Sequence, residues 1–176
     1  FSKLLNQKAI HKPSAQHVLD DDYYKRIEAI QFTMTHDDGK KLDDVSKADI
    51  ILLGVSRTSK TPTSIYLANR GYKTINIPLV LDQKVPEILK SKDNKTCVIG
   101  LVADPERLAD IRRNRVAIMK EENIKEYTDL NFIKEEVNKS KQLFNKYKWP
   151  IIDVTRRSVE EIAASILKIF EIKKNK

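Results

Sequence analysis

Lys60 and Thr61 close the stretch Gly54-Val55-Ser56-Arg57-Thr58-Ser59-Lys60-Thr61, which follows the apolar run Ile50-Ile51-Leu52-Leu53 and precedes a helix-like segment from Pro62 to Arg70. A strand, a tight loop ending in Lys-Thr and then a helix form the context of a phosphate-binding loop, whose general pattern is G-x-x-x-x-G-K-[ST]. The chain meets that pattern everywhere except at Ser59, where a glycine is expected. In such a loop the backbone N–H groups of Gly54, Val55, Ser56, Arg57, Thr58, Ser59, Lys60 and Thr61 can converge on phosphate oxygens, and the helix N-terminus adds partial positive charge. Lys60 would place a point charge on a β- or γ-phosphate, and Thr61 a hydroxyl on Mg²⁺. The competing reading is a plain strand-to-helix turn that ends in Lys-Thr.

The surrounding elements must hold that loop. Tyr23, Ile27, Ile30 and Met34 recur at helical spacing and predict an amphipathic helix from Asp20 to about Thr35, ended by the turn residues His36-Asp37-Asp38-Gly39. Residues Phe1 to Lys12 show no period and read as a loop. A short helical piece with Leu42 and Val45 leads to a first strand over Asp49–Leu53. After the loop, Pro62 suits the first helical turn and Gly71 suits a left-handed stop. Further strands are predicted over Tyr72–Ile77, Lys95–Val102 and Ile151–Val154, with a short helical segment over Pro86–Lys90. Asp104-Pro105-Glu106 opens a helix whose apolar side is read from Leu108, Ile111 and Ile118. Thr128-Asp129 opens a long helix carrying Leu130, Ile133, Val137, Phe144 and Tyr147, and Trp149-Pro150 breaks it. Ser158-Val159-Glu160-Glu161 is a capping box before Ile162, Ile166 and Ile169. Strands alternating with helices predict an α/β fold: a parallel sheet flanked by helices, with the loop beyond the strands' carboxyl ends, as in P-loop kinases. The expected division is residues 1–39 as the end of a preceding N-terminal region and 40–176 as a nucleotide-binding domain.

Composition narrows the class of protein. With 176 residues the chain is long enough for one real core, and 33% charged against 40% hydrophobic residues is an ordinary globular balance. No apolar run approaches a membrane span, so no membrane partner is expected. The one cysteine, Cys97, lies in an apolar run and reads as a buried thiol; it excludes an internal disulfide and fits a reducing cytoplasm. The net charge of +8 invites a nucleic-acid reading, but the lysines are dispersed among acidic residues and aromatics are only 7%. Affinity for phosphorylated ligands accounts for the charge better than a nucleic-acid partner does.

The loop and its flanks, Gly54 to Pro62 with Ser64-Ile65-Tyr66-Leu67-Ala68-Asn69 and Gly71-Tyr72-Lys73, resemble the signature of the pyruvate, phosphate dikinase regulatory proteins. The related phosphoenolpyruvate synthase regulatory proteins share it. Upstream, His17-Val18-Leu19-Asp20, Asp22-Tyr23-Tyr24, Arg26 to Ile30 and His36-Asp37-Asp38-Gly39 match as well. Downstream, so do Gly100-Leu101, Asp104 to Leu108, Asn114-Arg115, Tyr127 with Asp129, Trp149 to Thr155 and Glu160 to Ala163. In this family Ser59 and Pro62 are usual residues, while Leu81-Asp82-Gln83-Lys84 replaces a more proline-rich segment. Family members carry a further N-terminal region, so the resemblance implies that this sequence is a fragment.

The resemblance implies a bifunctional enzyme that phosphorylates a threonine of pyruvate, phosphate dikinase near its catalytic histidine, with ADP as donor. The same protein would remove that phosphate by attack of inorganic phosphate, releasing pyrophosphate. Phosphoryl transfer is largely positioning and charge neutralisation, the work expected of Lys60, the loop amides and Mg²⁺ on Thr61. Asp37 and Asp38, with His36, are candidates for the general base because the family shares them; alternatively the acids only end a helix. Asp104 could hold Mg²⁺ through water, although it also suits a helix cap. Arg112, Arg113 and Arg115 could clamp a transferring phosphate, and the period of their helix puts Arg115 on its apolar side and ranks it first. The same chemistry on phosphoenolpyruvate synthase, a small-molecule kinase on the same loop and a basic nucleic-acid-binding module are the alternatives. A homodimer is a further expectation of the resemblance.

Overall fold

The structure of the chain is a computed structural model that describes residues 21–39, 44–80, 89, 96–119 and 125–175. The loop expected over 1–12, the motif His17–Asp20, the residues around Leu42, the segment 81–84 and all of the expected 86–90 helix except Leu89 lie outside the described residues.

Four strands form one parallel sheet in the order β2-β1-β3-β4: β1 is Ile50–Gly54, β2 Thr74–Pro78, β3 Cys97–Val102 and β4 Ile151–Asp153. Ile50 pairs with Thr74 on one side and Cys97 on the other, and Gly100 pairs with Ile151. Strands β1 and β3 are buried along their whole length, the signature of a parallel sheet covered on both faces. Alternation divides their side chains between two cores. Ile50, Leu52, Ile99 and Leu101 join Leu67, Ile162 and Ile166 in one; Ile51, Leu53, Ile75, Ile77 and Val98 join Phe144 in the other.

Six α-helices accompany the sheet among the described residues: α1 Asp21–Thr35, α2 Lys60–Ala68, α3 Pro105–Met119, α4 Lys125–Thr128, α5 Leu130–Lys146 and α6 Val159–Lys174. Their ends follow from local chemistry. Asp129 accepts from Phe132 N–H at 2.9 Å, and Ser158 and Glu161 form the expected capping box. Gly71, at φ 89°, follows α2 in the left-handed region. The helix after the loop begins at Lys60, two residues earlier than Pro62, so Lys60 lies in its first turn.

Two expected apolar stripes are corrected. On α1, Tyr23, Ile27 and Met34 are exposed, whereas Ala29 and Thr33, with His36 just beyond, are buried. The positions 29, 33 and 36 make their own helical stripe of smaller side chains. It brings the helix close enough for Thr33 Oγ1 to accept from Thr74 N–H at 3.1 Å. On α3, Ile118 is 81% exposed and Arg115 is exposed, while Arg112 is 1% exposed and turned inward with Leu108 and Ala109. A salt bridge to a distant helix makes that inward arginine tolerable, as described below.

The strand order places the connection leaving β1 on one side and β3 on the other. The carboxyl ends of β1 and β3 therefore flank a topological switch point, where such sheets bind ligands. The Gly54–Thr61 loop and Asp104 both emerge there.

Candidate functional site

The loop is a compact turn built from strained backbone. Arg57 (φ 74°) and Ser59 (φ 57°, ψ 24°) both sit in the left-handed region, which costs a non-glycine residue on the order of 1 kcal/mol. Ser59 occupies the position where the general pattern has glycine, and its backbone is the one glycine favours. Gly54 is required for another reason. A Cβ there would lie 2.6 Å from Thr58 Oγ1 and 2.7 Å from the Leu101 carbonyl oxygen. The loop then closes on itself through Thr58 Oγ1, which donates to the Val55 carbonyl at 2.9 Å.

Lys60 is the central charge. Its side chain is 6% exposed, and its ammonium donates to the same Val55 carbonyl at 2.9 Å. Burial pulls its pKa from the ordinary 10.5 down to about 8; the Asp38 carboxylate pushes it back up, Arg112 lowers it and Asp37 raises it. Two acids from before the sheet and one arginine from after β3 thus act on one ammonium in the loop.

The acidic turn reaches the loop through Asn76, in the middle of β2 and 1% exposed. Asn76 Oδ1 accepts from the Asp38 N–H at 2.8 Å. Its Nδ2 donates to Asp37 Oδ1, to Thr61 Oγ1 at 3.2 Å and to Ser64 Oγ at 3.4 Å. Asp38 (φ 54°) and Gly39 (φ 68°) take left-handed conformations, so the turn does end α1 as its sequence suggests. It also brings Asp37 within hydrogen-bonding reach of Asn76, while the Asp38 residue stays exposed. His36 is 4% exposed and stacked on Phe32, with Nδ1 2.7 Å from the Phe32 carbonyl. A carbonyl only accepts, so Nδ1 carries the proton, and Nε2 is buried with no hydrogen-bond partner. Of the two side chains, that of Asp38 is open to solvent and the imidazole is enclosed.

Arg112 clasps the loop from the other side. Its guanidinium donates to the Ser56 carbonyl at 3.2 Å, to the Tyr127 carbonyl at 3.2 Å and to Glu136 at 2.7 Å, and it lies over the Tyr127 ring at 4.7 Å. The Tyr127 hydroxyl is 3.1 Å from Ser56 Oγ. Of Arg112, Arg113 and Arg115 on α3, Arg112 is the one brought to the loop. Arg115 is exposed, and Arg113 is exposed and paired with Asp110 at 2.8 Å. Asp104 caps α3, accepting from Arg107 N–H at 3.0 Å.

The donor set suits a phosphorylated ligand. Arg57 Nε and Arg112 Nε are buried donors without a protein acceptor, beside the buried Lys60. Asp37 Oδ1 and the hydroxyls of Thr61 and Ser64 converge on one amide group, a set of hard oxygens suited to Mg²⁺. Among the described residues no three or more His, Cys, Asp or Glu side chains are grouped so as to hold a metal ion. Mg²⁺ does not need one, since it usually binds through one or two carboxylates plus substrate phosphates.

Sequence reasoning missed Asn76, Ser64 and Glu136 as parts of this site and read Tyr127 only as a shared family residue. A polar residue between Ile75 and Ile77 was the available signal for Asn76; nothing near Glu136 in the sequence points to Arg112, 24 residues away.

The family described as Kinase/pyrophosphorylase matches residues 1–167. A protein of Pelagibacter ubique strain HTCC1062 is 66% identical over 99% of this chain and 64% of its own length. One from Erythrobacter litoralis strain HTCC2594 is 50% identical over 94% of this chain and 59% of its own, and one from Maricaulis maris strain MCS10 is 50% identical over 99% and 62%. All three carry the provisional name pyruvate, phosphate dikinase regulatory protein. The chain thus spans about three fifths of the length of these curated relatives. With the match running through loop, acidic turn and arginine helix alike, the chain belongs to the Kinase/pyrophosphorylase family.

Proposed function

We propose that the protein is a bifunctional regulator of pyruvate, phosphate dikinase, using ADP to phosphorylate a threonine of that enzyme and inorganic phosphate to remove the group. The relatives' shared name favours the dikinase over phosphoenolpyruvate synthase as target. The observation that carries the chemistry is the buried Lys60 at the head of α2, with two carboxylates on one side and Arg112 on the other.

In the forward direction the threonine Oγ forms a bond to the β-phosphorus of ADP, the bond from that phosphorus to the bridging oxygen breaks, and AMP leaves. The hydroxyl proton passes to the Asp38 carboxylate, the exposed acid of the turn. In the reverse direction an oxygen of inorganic phosphate bonds to the threonine's phosphorus and the P–Oγ bond breaks; the threonine oxygen takes up the proton that the attacking phosphate gives up, and pyrophosphate leaves. Both reactions place two linked phosphorus centres in one cradle. The loop amides of Gly54 to Thr61 orient them, and Lys60 neutralises the charge that develops. Thr61 and Asp37 would hold Mg²⁺, which would supply further charge neutralisation on the diphosphate. On this reading the protein is in the cytoplasm with its target. No described helix is long and apolar enough to cross a membrane.

Lys60→Ala tests the reading. It should weaken ADP binding strongly, measured by calorimetry on a mutant shown to be folded, and should impair phosphorylation and phosphorolysis together. ADP and phosphate should also compete. Unchanged ADP affinity would remove the loop from the mechanism, and loss of phosphorylation with normal phosphorolysis would require two separate sites.

A further inference from the structure

Asparagine is disfavoured within strands, and one buried among apolar neighbours must find partners for both ends of its amide. Asn76 satisfies both ends with residues of the site. Its oxygen takes the Asp38 N–H, and its nitrogen serves Asp37, Thr61 and Ser64. The first two belong to the turn that ends α1, and the last two to the first turns of α2. The Asp38 and Asp37 contacts bridge 38 and 39 residues of chain.

We infer that Asn76 is the positioning residue of the site: its amide locks the Asp37-Asp38 turn against the start of α2, so that the acids face the loop that holds the phosphates. The inference rests on the phosphoryl-transfer reading above and deepens it.

The chemistry of the side chain supports the assignment. The turn presents one donor, the Asp38 N–H, and one acceptor, the Asp37 carboxylate, and it needs the converse pair at fixed separation. Only an amide supplies an acceptor and two donors on one rigid plane. An aspartate of the same shape would keep the acceptor, lose both donors and set a second carboxylate against Asp37. Serine or threonine has a single O–H to share among three acceptors. The residue on this strand is thus matched to the polarity of the turn, and the apolar Ile75 and Ile77 beside it meet the needs of the core.

The experiment has an arm that does not depend on activity. In the wild type the Asp38 amide should exchange slowly with solvent although the residue is exposed, because its N–H is donated to Asn76. Asn76→Ala should speed that exchange at least about tenfold while the β2 amides of Ile75 and Ile77 stay protected. With ADP and the dikinase, the same variant should lower kcat for threonine phosphorylation at least about thirtyfold, with the Kd for ADP changed less than about threefold. The loss should add less than fully to that of Asp37→Ala, since both substitutions remove the contact between the two side chains. Asn76→Thr, which puts a strand-favouring β-branched residue at this position but carries no amide, should behave like the alanine variant.

A freely exchanging Asp38 amide in the wild type overturns the inference. So does a variant that loses the protection but keeps normal kcat, and so does unfolding with both substitutions, which would make Asn76 a residue of the fold. A wild type that never phosphorylates the dikinase sinks the functional reading instead, and the exchange arm then still reports whether Asn76 holds the turn.

Discussion

Lys60 has opposite effects on stability and on binding. Its folded pKa of about 8 lies below the ordinary 10.5, so between these values the unfolded chain binds the extra proton. Its contribution to stability therefore rises with pH across that window. Diphosphate affinity should move the other way, falling as pH climbs through about 8 and the ammonium is lost. Calorimetry and chemical denaturation between pH 7 and 10 should show the two trends diverging, and Lys60→Ala should abolish both steps. Asp38 invites a second test at the same scale. Asn tolerates the same left-handed backbone, so Asp38→Asn should keep the turn and the melting temperature. Turnover should fall at least about a hundredfold with ADP binding spared, since a general base acts on the incoming hydroxyl. Near-normal turnover would return Asp38 to ending a helix. Lys60 and Thr61 could be found from sequence because the residues that give them meaning are their neighbours. Arg112 could not be told from Arg115, because Glu136 and Tyr127, which make an inward arginine tolerable, lie far along the chain.

At the scale of elements, the Phe144 ring of α5 lies directly over Gly100 of β3. A Cβ at Gly100 would overlap the ring. Phe144 is fully buried and also meets Trp149 at the end of its helix, so it has no room to retreat. Gly100→Ala should therefore destabilise by about 1–3 kcal/mol, the usual cost of overpacking. Urea denaturation would measure it, and a neutral result would mean that α5 can slide on the sheet. Helix ends marked by caps were legible, because caps are local chemistry: Asp104, Asp129, Ser158 and Gly71 all act where they stand. Helix faces were less so. On α1 the large apolar residues suggested one face, but Ala29 and Thr33 pack inward because small side chains allow the helix to approach β2. Bulk marked the wrong stripe there, and on α3 Ile118 misled for the same reason.

For the molecule as a whole, alternation of short apolar runs with capped helices was enough to foresee a parallel sheet with the loop at the carboxyl end of its first strand. Strand order was not foreseen, and it is strand order that sets Asp37, the loop and Arg112 around one switch point. The site is accordingly scattered along the chain, drawing on Asp37, Gly54 to Thr61, Asn76, Arg112, Tyr127 and Glu136. That scatter matters while the protein is being made. Glu136 follows Thr61 by 75 residues, a lag of roughly 4 to 15 s at typical synthesis rates. Until Arg112 and Glu136 have emerged, the clasp on the Ser56 carbonyl is missing. On the proposed reading, a ribosome-bound chain therefore carries the phosphate-loop motif before the site around it is assembled, and that assembly waits for α5.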